Sequence, residues 1–166
     1  MKKSNSKVFM MCGIPGSGKS TFVEKRLSDY KVCRISRDEI RFSLLKDGED
    51  YFLKEKQVFN KFIKAINSAL ARGEKNIVVD ATHLTNTSRK AVLRQFKYVP
   101  KEIHAIYLDC PLDVAIERNS YRVGRAFVPV AAIKNMYSIF KKPTLKEGFS
   151  SILTVNEESQ IKEVEM

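Results

Sequence analysis

Cysteine is scarce in this chain, with three in 166 residues, and no two form a C-x-x-C pair. Their number is odd, which argues against a disulfide framework. Cys12, Cys33 and Cys110 each sit at or near the end of an apolar run, so buried free thiols in a reducing, cytoplasmic setting are expected. Long hydrophobic runs are also missing. A membrane helix needs roughly 18 apolar residues, and the longest run here, AFVPVAAI at 126–133, holds a proline. No membrane partner is therefore expected, and the polar start MKKSNSK leads into the first apolar run without the pattern of a cleavable leader. Negative charge is the third shortage. Thirty basic residues face nineteen acidic ones, for a net charge of +11.

The basic excess is uneven. Residues 86–146 hold twelve Lys/Arg against four Asp/Glu, whereas residues 147–166 hold one Lys and five Glu. A basic middle suits a polyanionic partner, because each Lys or Arg near a phosphate displaces a condensed counterion. An ordinary solvated basic surface explains the same numbers equally well. The tail at about 156–166 is acidic and carries no motif; it either covers basic surface or is disordered.

Short apolar runs alternate with longer amphipathic ones. Strands are expected at Lys7–Cys12, Lys31–Ser36, Asn76–Asp80, Ile103–Leu108 and Ile152–Val155. Helices are expected at Ser17–Tyr30, Arg37–Leu45, about Asp50–Arg72, near Asn86–Lys97, after Pro111 and after Pro129. In the third of these, Phe59, Phe62, Ile63, Ile66 and Leu70 form one stripe, which reads as core packing before it reads as a base-stacking surface. Strands alternating with helices mean βαβ units. The fold class is α/β, a single domain over residues 1–166 with a mainly parallel sheet covered on both faces.

The strongest motif is GIPGSGKST, Gly13–Thr21, directly after the first strand. It has the spacing G-x-x-x-x-G-K-[ST] of a loop that wraps nucleotide phosphates. Gly13, Gly16, Ser17 and Gly18 shape a backbone that can approach phosphate closely. Lys19 reaches the β- and γ-phosphates, Ser20 offers its hydroxyl to Mg²⁺, and Thr21 meets the α-phosphate. The implied ligands are ATP and Mg²⁺.

Three further stretches fall at strand or helix ends. SRDEIR (36–41) places Asp38 and Arg41 on one face of a helix start, a carboxylate able to take a proton and a guanidinium able to grip phosphate. An i,i+3 ion pair at a helix start is the bland alternative. Asp80 ends VVDATHL, positioned to orient Arg41, to hold a metal-bound water, or to cap a turn. ERNSYRVGRAFVP (117–129) reads as a lid whose Arg118 and Arg122, four apart on one helical side, share a phosphate.

In this order and spacing, the loop, SRDEIR, VVDAT and DCPLDVAIERNSYR followed by VP and KNMY resemble the polynucleotide 5′-hydroxyl kinase family of P-loop phosphotransferases, over roughly residues 7–140. The resemblance implies a three-layer αβα fold with a five-stranded sheet of order 2-3-1-4-5 and a helical lid. It implies Asp38 as the base for the acceptor hydroxyl, and Arg41 on the acceptor phosphate and transition state. Arg118 and Arg122 fall on the lid arginines that engage ATP phosphates. Asp80, Thr82, Val128 and Pro129 fall on acceptor-side positions, and Lys19 and Ser20 carry over directly. His83 stands where relatives often show Asn, and the lid segment is slightly longer and adds Arg125. The implied partner is nucleic acid with a 5′-hydroxyl end. Two other functions fit the donor motif: a P-loop kinase for a nucleoside, sugar or metabolite, and a non-catalytic ATP-gated nucleic-acid-binding module.

Overall fold

A computed structural model describes residues 1–166. The chain runs β1 (Lys2–Lys3), β2 (Lys7–Cys12), α1 (Lys19–Arg26), β3 (Val32–Ser36), α2 (Arg37–Leu44), α3 (Glu55–Arg72), β4 (Asn76–Asp80) and α4 (Asn86–Leu93). It continues β5 (Tyr98–Val99), β6 (Glu102–Asp109), α5 (Leu112–Ser120), α6 (Val130–Ile139), β7 (Ser151–Asn156) and β8 (Ile161–Glu165). The main sheet has the order β3-β4-β2-β6-β7-β8, with β1 and β5 forming a separate two-stranded ribbon. The first five strands of that order are mutually parallel, and β8 pairs antiparallel to β7.

Side-chain alternation along the strands divides the interior into two layers. Val8, Met10 and Cys12 of β2 join Ile77, Val79 and Ala105 under Phe62, Ile66, Ala69 and Leu70 of α3 and Val92 of α4. Met11, Val78, Ile106 and Leu108 face the other way, against Phe22 and Val23 of α1. A smaller cluster of Ile14, Cys110, Ala115 and Ile133 seats α5 and α6 beside the phosphate loop. The α3 stripe is thus core packing. Phe62, Ile66 and Leu70 are fully buried, while Phe59 and Ile63 pack at its margin. All three cysteines are unbridged, and burial pushes the Cys12 thiol up to about 12.

Four expectations change. The sheet has six strands, because the acidic tail folds as β8 and lays Glu163 and Glu165 against Lys142. Helix α1 starts at Lys19 and not Ser17, since Gly16 (φ 81°) and Gly18 (φ 95°) hold left-handed backbone that cannot continue a helix. Helix α3 starts at Glu55, after tight turns over 50–54 closed by the Leu53 N–H to Asp50 carbonyl bond. The lid segment is not helical through 117–129. Helix α5 ends at Ser120, and only one 3-10 turn, Gly124–Ala126, follows before α6. Asn119, fully buried, pins that segment with bonds to both the carbonyl (2.7 Å) and the N–H (3.0 Å) of Val128.

The basic excess of residues 86–146 is partly internal. Arg89 is wholly buried, donating through Nε and Nη2 to Glu147 and through Nη1 to the carbonyls of His83 and Lys141. His83 (φ 44°) is buried beneath it with Nδ1 2.6 Å from the Met11 carbonyl, facing the core and not the cleft. Burial lowers its pKa to about 4, so it folds neutral. A depressed histidine stabilises the fold fully above its unfolded value and loses that contribution as pH falls toward 4. Denaturant unfolding between pH 7 and 4 should therefore show a loss of about 3 kcal/mol that His83→Gln removes. An unchanged pH slope in the variant would refute this role for the imidazole.

Candidate active site

The site is a cleft of about 610 Å³ at the carboxyl ends of β2, β3 and β4. Its floor is the phosphate loop. The loop lies so close to α5 that a Cβ on Gly16 would stand 2.3 Å from the Ala115 carbonyl oxygen. Gly18 precedes helix α1 as its N-cap and offers no side-chain cap, leaving the first N–H groups of the helix directed at the cleft. The Lys19 ammonium donates to the Gly13 and Ile14 carbonyls (2.9 and 3.0 Å). Burial lowers its pKa, with Arg122 pressing the same way and the Asp80 and Asp38 charges opposing. Gly13 is tied back by its N–H to the Thr82 carbonyl, and Thr82 lines the cleft.

These residues fit a phosphate chain. The capless helix start and the close glycine backbone form a donor-rich concavity. Ser20 lines the same cleft and is the residue that would hold Mg²⁺ beside such a chain.

Across the cleft, α2 begins at Ser36, whose hydroxyl accepts from the Glu39 N–H. This cap presents Asp38 and Arg41 together. Arg41 Nη1 donates to Asp38 Oδ1 (2.5 Å) and to the Tyr51 hydroxyl (2.7 Å), and Tyr51 in turn donates to Asp38 Oδ1 (2.7 Å). Arg41 is nearly buried at 5% side-chain exposure and Asp38 is open at 60%. Asp38 Oδ2 takes no protein hydrogen bond, so one carboxylate oxygen is fixed and the other faces solvent. Burial and the neighbouring Asp38 charge raise the Tyr51 pKa, which keeps its hydroxyl a donor. Glu55 of α3 holds Arg41 Nη2 (2.8 Å) and also pairs with Arg37.

Two placements correct the motif reading. Asp80 does not orient Arg41. It takes Nε (3.0 Å) and Nη2 (2.6 Å) of Arg34 on its Oδ2, and Tyr51 and Glu55 orient Arg41 instead. Arg118 and Arg122 do not share a helical face, because α5 ends between them. Arg118 Nη2 donates to the Glu157 carbonyl in the β7–β8 turn, while Arg122 lines the cleft with Val128 and Pro129. Arg125 closes over the outer rim, donating to the Phe42 carbonyl (3.1 Å) and to Asp47 (2.5 Å). Arg34, Tyr51 and Glu55 carry no motif, and only spatial proximity reveals them.

A phosphate loop facing an oriented carboxylate and guanidinium across one cleft defines a P-loop kinase domain. Residues 8–143 match the family model AAA_33, described as an AAA domain, and the chain belongs to that family. It is 29% identical over 154 residues to the bifunctional polynucleotide phosphatase/kinase of Schizosaccharomyces pombe, covering 91% of this chain and 34% of that protein. It is 28% identical over 154 residues to the L-seryl-tRNA(Sec) kinase of Methanococcus maripaludis, covering 84% and 54%. The chain therefore spans about a third to a half of the length of these relatives. A solved sugar kinase from Janibacter sp. superposes with TM-score 0.64 at 20% identity, over 94% of this chain and 87% of that one, a likeness of fold. The resemblance to polynucleotide kinases carried by the four motifs is borne out. No helix is long and apolar enough to cross a membrane.

Proposed function

We propose that the chain is an ATP-dependent polynucleotide 5′-hydroxyl kinase, transferring the γ-phosphate to the 5′-OH end of DNA or RNA in nucleic-acid repair. The observation that carries this reading is Asp38, with one carboxylate oxygen fixed by Arg41 and Tyr51 and the other open to the cleft that the phosphate loop floors. Asp38 Oδ2 accepts the proton of the attacking hydroxyl as the acceptor oxygen bonds to the γ-phosphorus and the bridging P–O bond breaks. Lys19 and Arg122 hold the charge that spreads over the transferring group, and Arg41 positions the acceptor beside Asp38. Ser20 would hold Mg²⁺ beside the phosphates, where the ion would supply charge neutralisation for the donor. Arg118 stays beside Gly18 of the phosphate loop, held by the Glu157 carbonyl; Thr82, Val128 and Pro129 border the acceptor, and Asp80 stands with Ser20 and Arg34 on the donor side.

The acceptor side favours a nucleic-acid end. Phe42, Tyr51, Phe52 and Phe127 line the cleft among Arg37, Arg41 and Arg125, and Phe52 stays 62% exposed. Aromatic faces interleaved with guanidinium groups suit unstacked bases and their phosphates. The S. pombe relative is a polynucleotide kinase by name. The test is transfer of labelled γ-phosphate from ATP to a 5′-hydroxyl oligonucleotide with Mg²⁺. Stoichiometric labelling that weakens steeply with salt is expected. Labelling of a sugar or nucleoside pool with the oligonucleotide untouched would replace this acceptor with a small molecule. ATP-dependent oligonucleotide binding without transfer would leave a binding module.

A further inference from the structure

Arg34 lies against Ser20, the hydroxyl that the phosphate-loop motif assigns to Mg²⁺. It extends from the edge strand β3 and sends Nη2 to the Ser20 hydroxyl (3.1 Å) and to Asp80 Oδ2 (2.6 Å), with Nε on the same carboxylate oxygen (3.0 Å). Glu39 stands 3.5 Å from Nη1. Burial disfavours the Arg34 charge, but the bonds and charge of Asp80 outweigh it and hold the guanidinium above its ordinary pKa. The Ser20 hydroxyl and the buried Asp80 carboxylate are the two oxygen groups of the chain best placed to receive a dication beside the phosphate loop. Both already serve one fixed monocation.

We propose that Arg34 is a resident cation that closes this position to a bare divalent ion, so that metal enters only together with a triphosphate. The inference rests on the reading of the cleft as a metal–nucleotide site and adds an order of binding to it. Without Arg34, Asp80 and Ser20 would offer an incoming ion a buried full negative charge and a hydroxyl. With Arg34 present, the Asp80 charge is cancelled and the ion meets a like charge instead. No other cluster of His, Cys, Asp or Glu compensates. A phosphate chain reverses the balance, since its oxygens supply most of the Mg²⁺ shell and their charge is attracted to both cations. An arginine suits this task better than a lysine because its planar fork engages Asp80 and Ser20 at once and stays charged when partly buried. Arg34 is thus a positioning residue for the donor side, acting through Ser20 and Asp80.

The experiment measures Mn²⁺ bound to nucleotide-free protein by the loss of the free-ion electron paramagnetic resonance signal. Wild type is compared with Arg34→Met, Arg34→Lys and Arg34→Met/Asp80→Asn. Arg34→Met should bind Mn²⁺ alone about tenfold more tightly or better. Arg34→Lys, which keeps the charge, should stay close to wild type, and the double variant should lose the gain. Mn²⁺ affinity in Arg34→Met equal to or weaker than wild type would overturn the proposal. Circular dichroism checks folding, and if Arg34→Met does not fold, Arg34→Gln carries the same expectation. The measurement contains no acceptor, so failure of the polynucleotide reading leaves it intact. Absence of metal–ATP binding by wild type would instead remove the donor-site reading itself.

Discussion

Asp38→Asn should lower phosphoryl transfer to a 5′-hydroxyl oligonucleotide by about 10²- to 10⁴-fold, the range that a positioned general base supplies. The substitution is nearly isosteric. Its amide oxygen can still accept from Tyr51 and Arg41, which meet Asp38 Oδ1, so the acceptor wall keeps its arrangement. What disappears is the basic oxygen at Oδ2. The effect should fall on kcat, with the apparent affinity for ATP close to wild type, because the Lys19 loop lies on other residues. Rapid-quench measurement of a single turnover isolates the step. Transfer at the wild-type rate would remove Asp38 from the chemistry and leave the Arg41 pair as an ordinary helix-start ion pair. Tyr51→Phe offers a graded comparison, since it removes one of the two groups that fix the carboxylate and leaves the base in place.

Arg89→Met should cost about 3–5 kcal/mol of stability without touching any cleft residue. The guanidinium is fully buried and spends four bonds on Glu147 and the carbonyls of His83 and Lys141. Methionine restores much of the volume but strands Glu147, whose side chain is 4% exposed, as an unpaired carboxylate. Urea unfolding followed by circular dichroism should show the loss as a shifted midpoint with an unchanged slope. The paired change Arg89→Met/Glu147→Leu should recover most of it, because replacing a buried ion pair by apolar side chains is often nearly neutral. A single variant as stable as wild type would show that the pair only offsets its own desolvation. The pH dependence has a definite sign. Burial tends to raise the Glu147 pKa, but Arg89 and the Thr144 N–H hold it below the ordinary glutamate value. Its contribution is therefore present above about pH 4.5 and fades as pH falls through the depressed value, so the gap between the variants should narrow in acid.

Much of the fold was readable because it rests on local pattern. Buried parallel strands are continuous apolar runs, and amphipathic helices repeat every three to four residues, so five strands and six helices could be placed along the chain. Boundaries drifted where local signals competed. The glycines of the phosphate loop extend the loop at the expense of α1, and the Asp50–Lys54 turns took the first residues expected of α3. The β8 strand was invisible for a related reason. IKEVE lies on a sheet edge with its side chains largely exposed, so it carries little of the apolar signal that marks a buried strand.

By itself the sequence determined the class of this protein: a phosphate loop between a strand and a helix, an Asp and Arg three apart at the next helix start, and an α/β order of segments. Those features depend on residues near one another in the chain, where spacing and turn geometry limit the outcomes. The tertiary structure alone decided the pairings. Arg34 meets Asp80 across 46 residues, Arg89 meets Glu147 across 58, and Arg118 meets the Glu157 carbonyl across 39. A guanidinium can reach any of several carboxylates of equal chemistry, and sequence contains no distance between them. Strand order and helix packing choose the partner, and with it they decide that Asp80 serves Arg34 while Arg41 is left to Tyr51, Glu55 and Asp38.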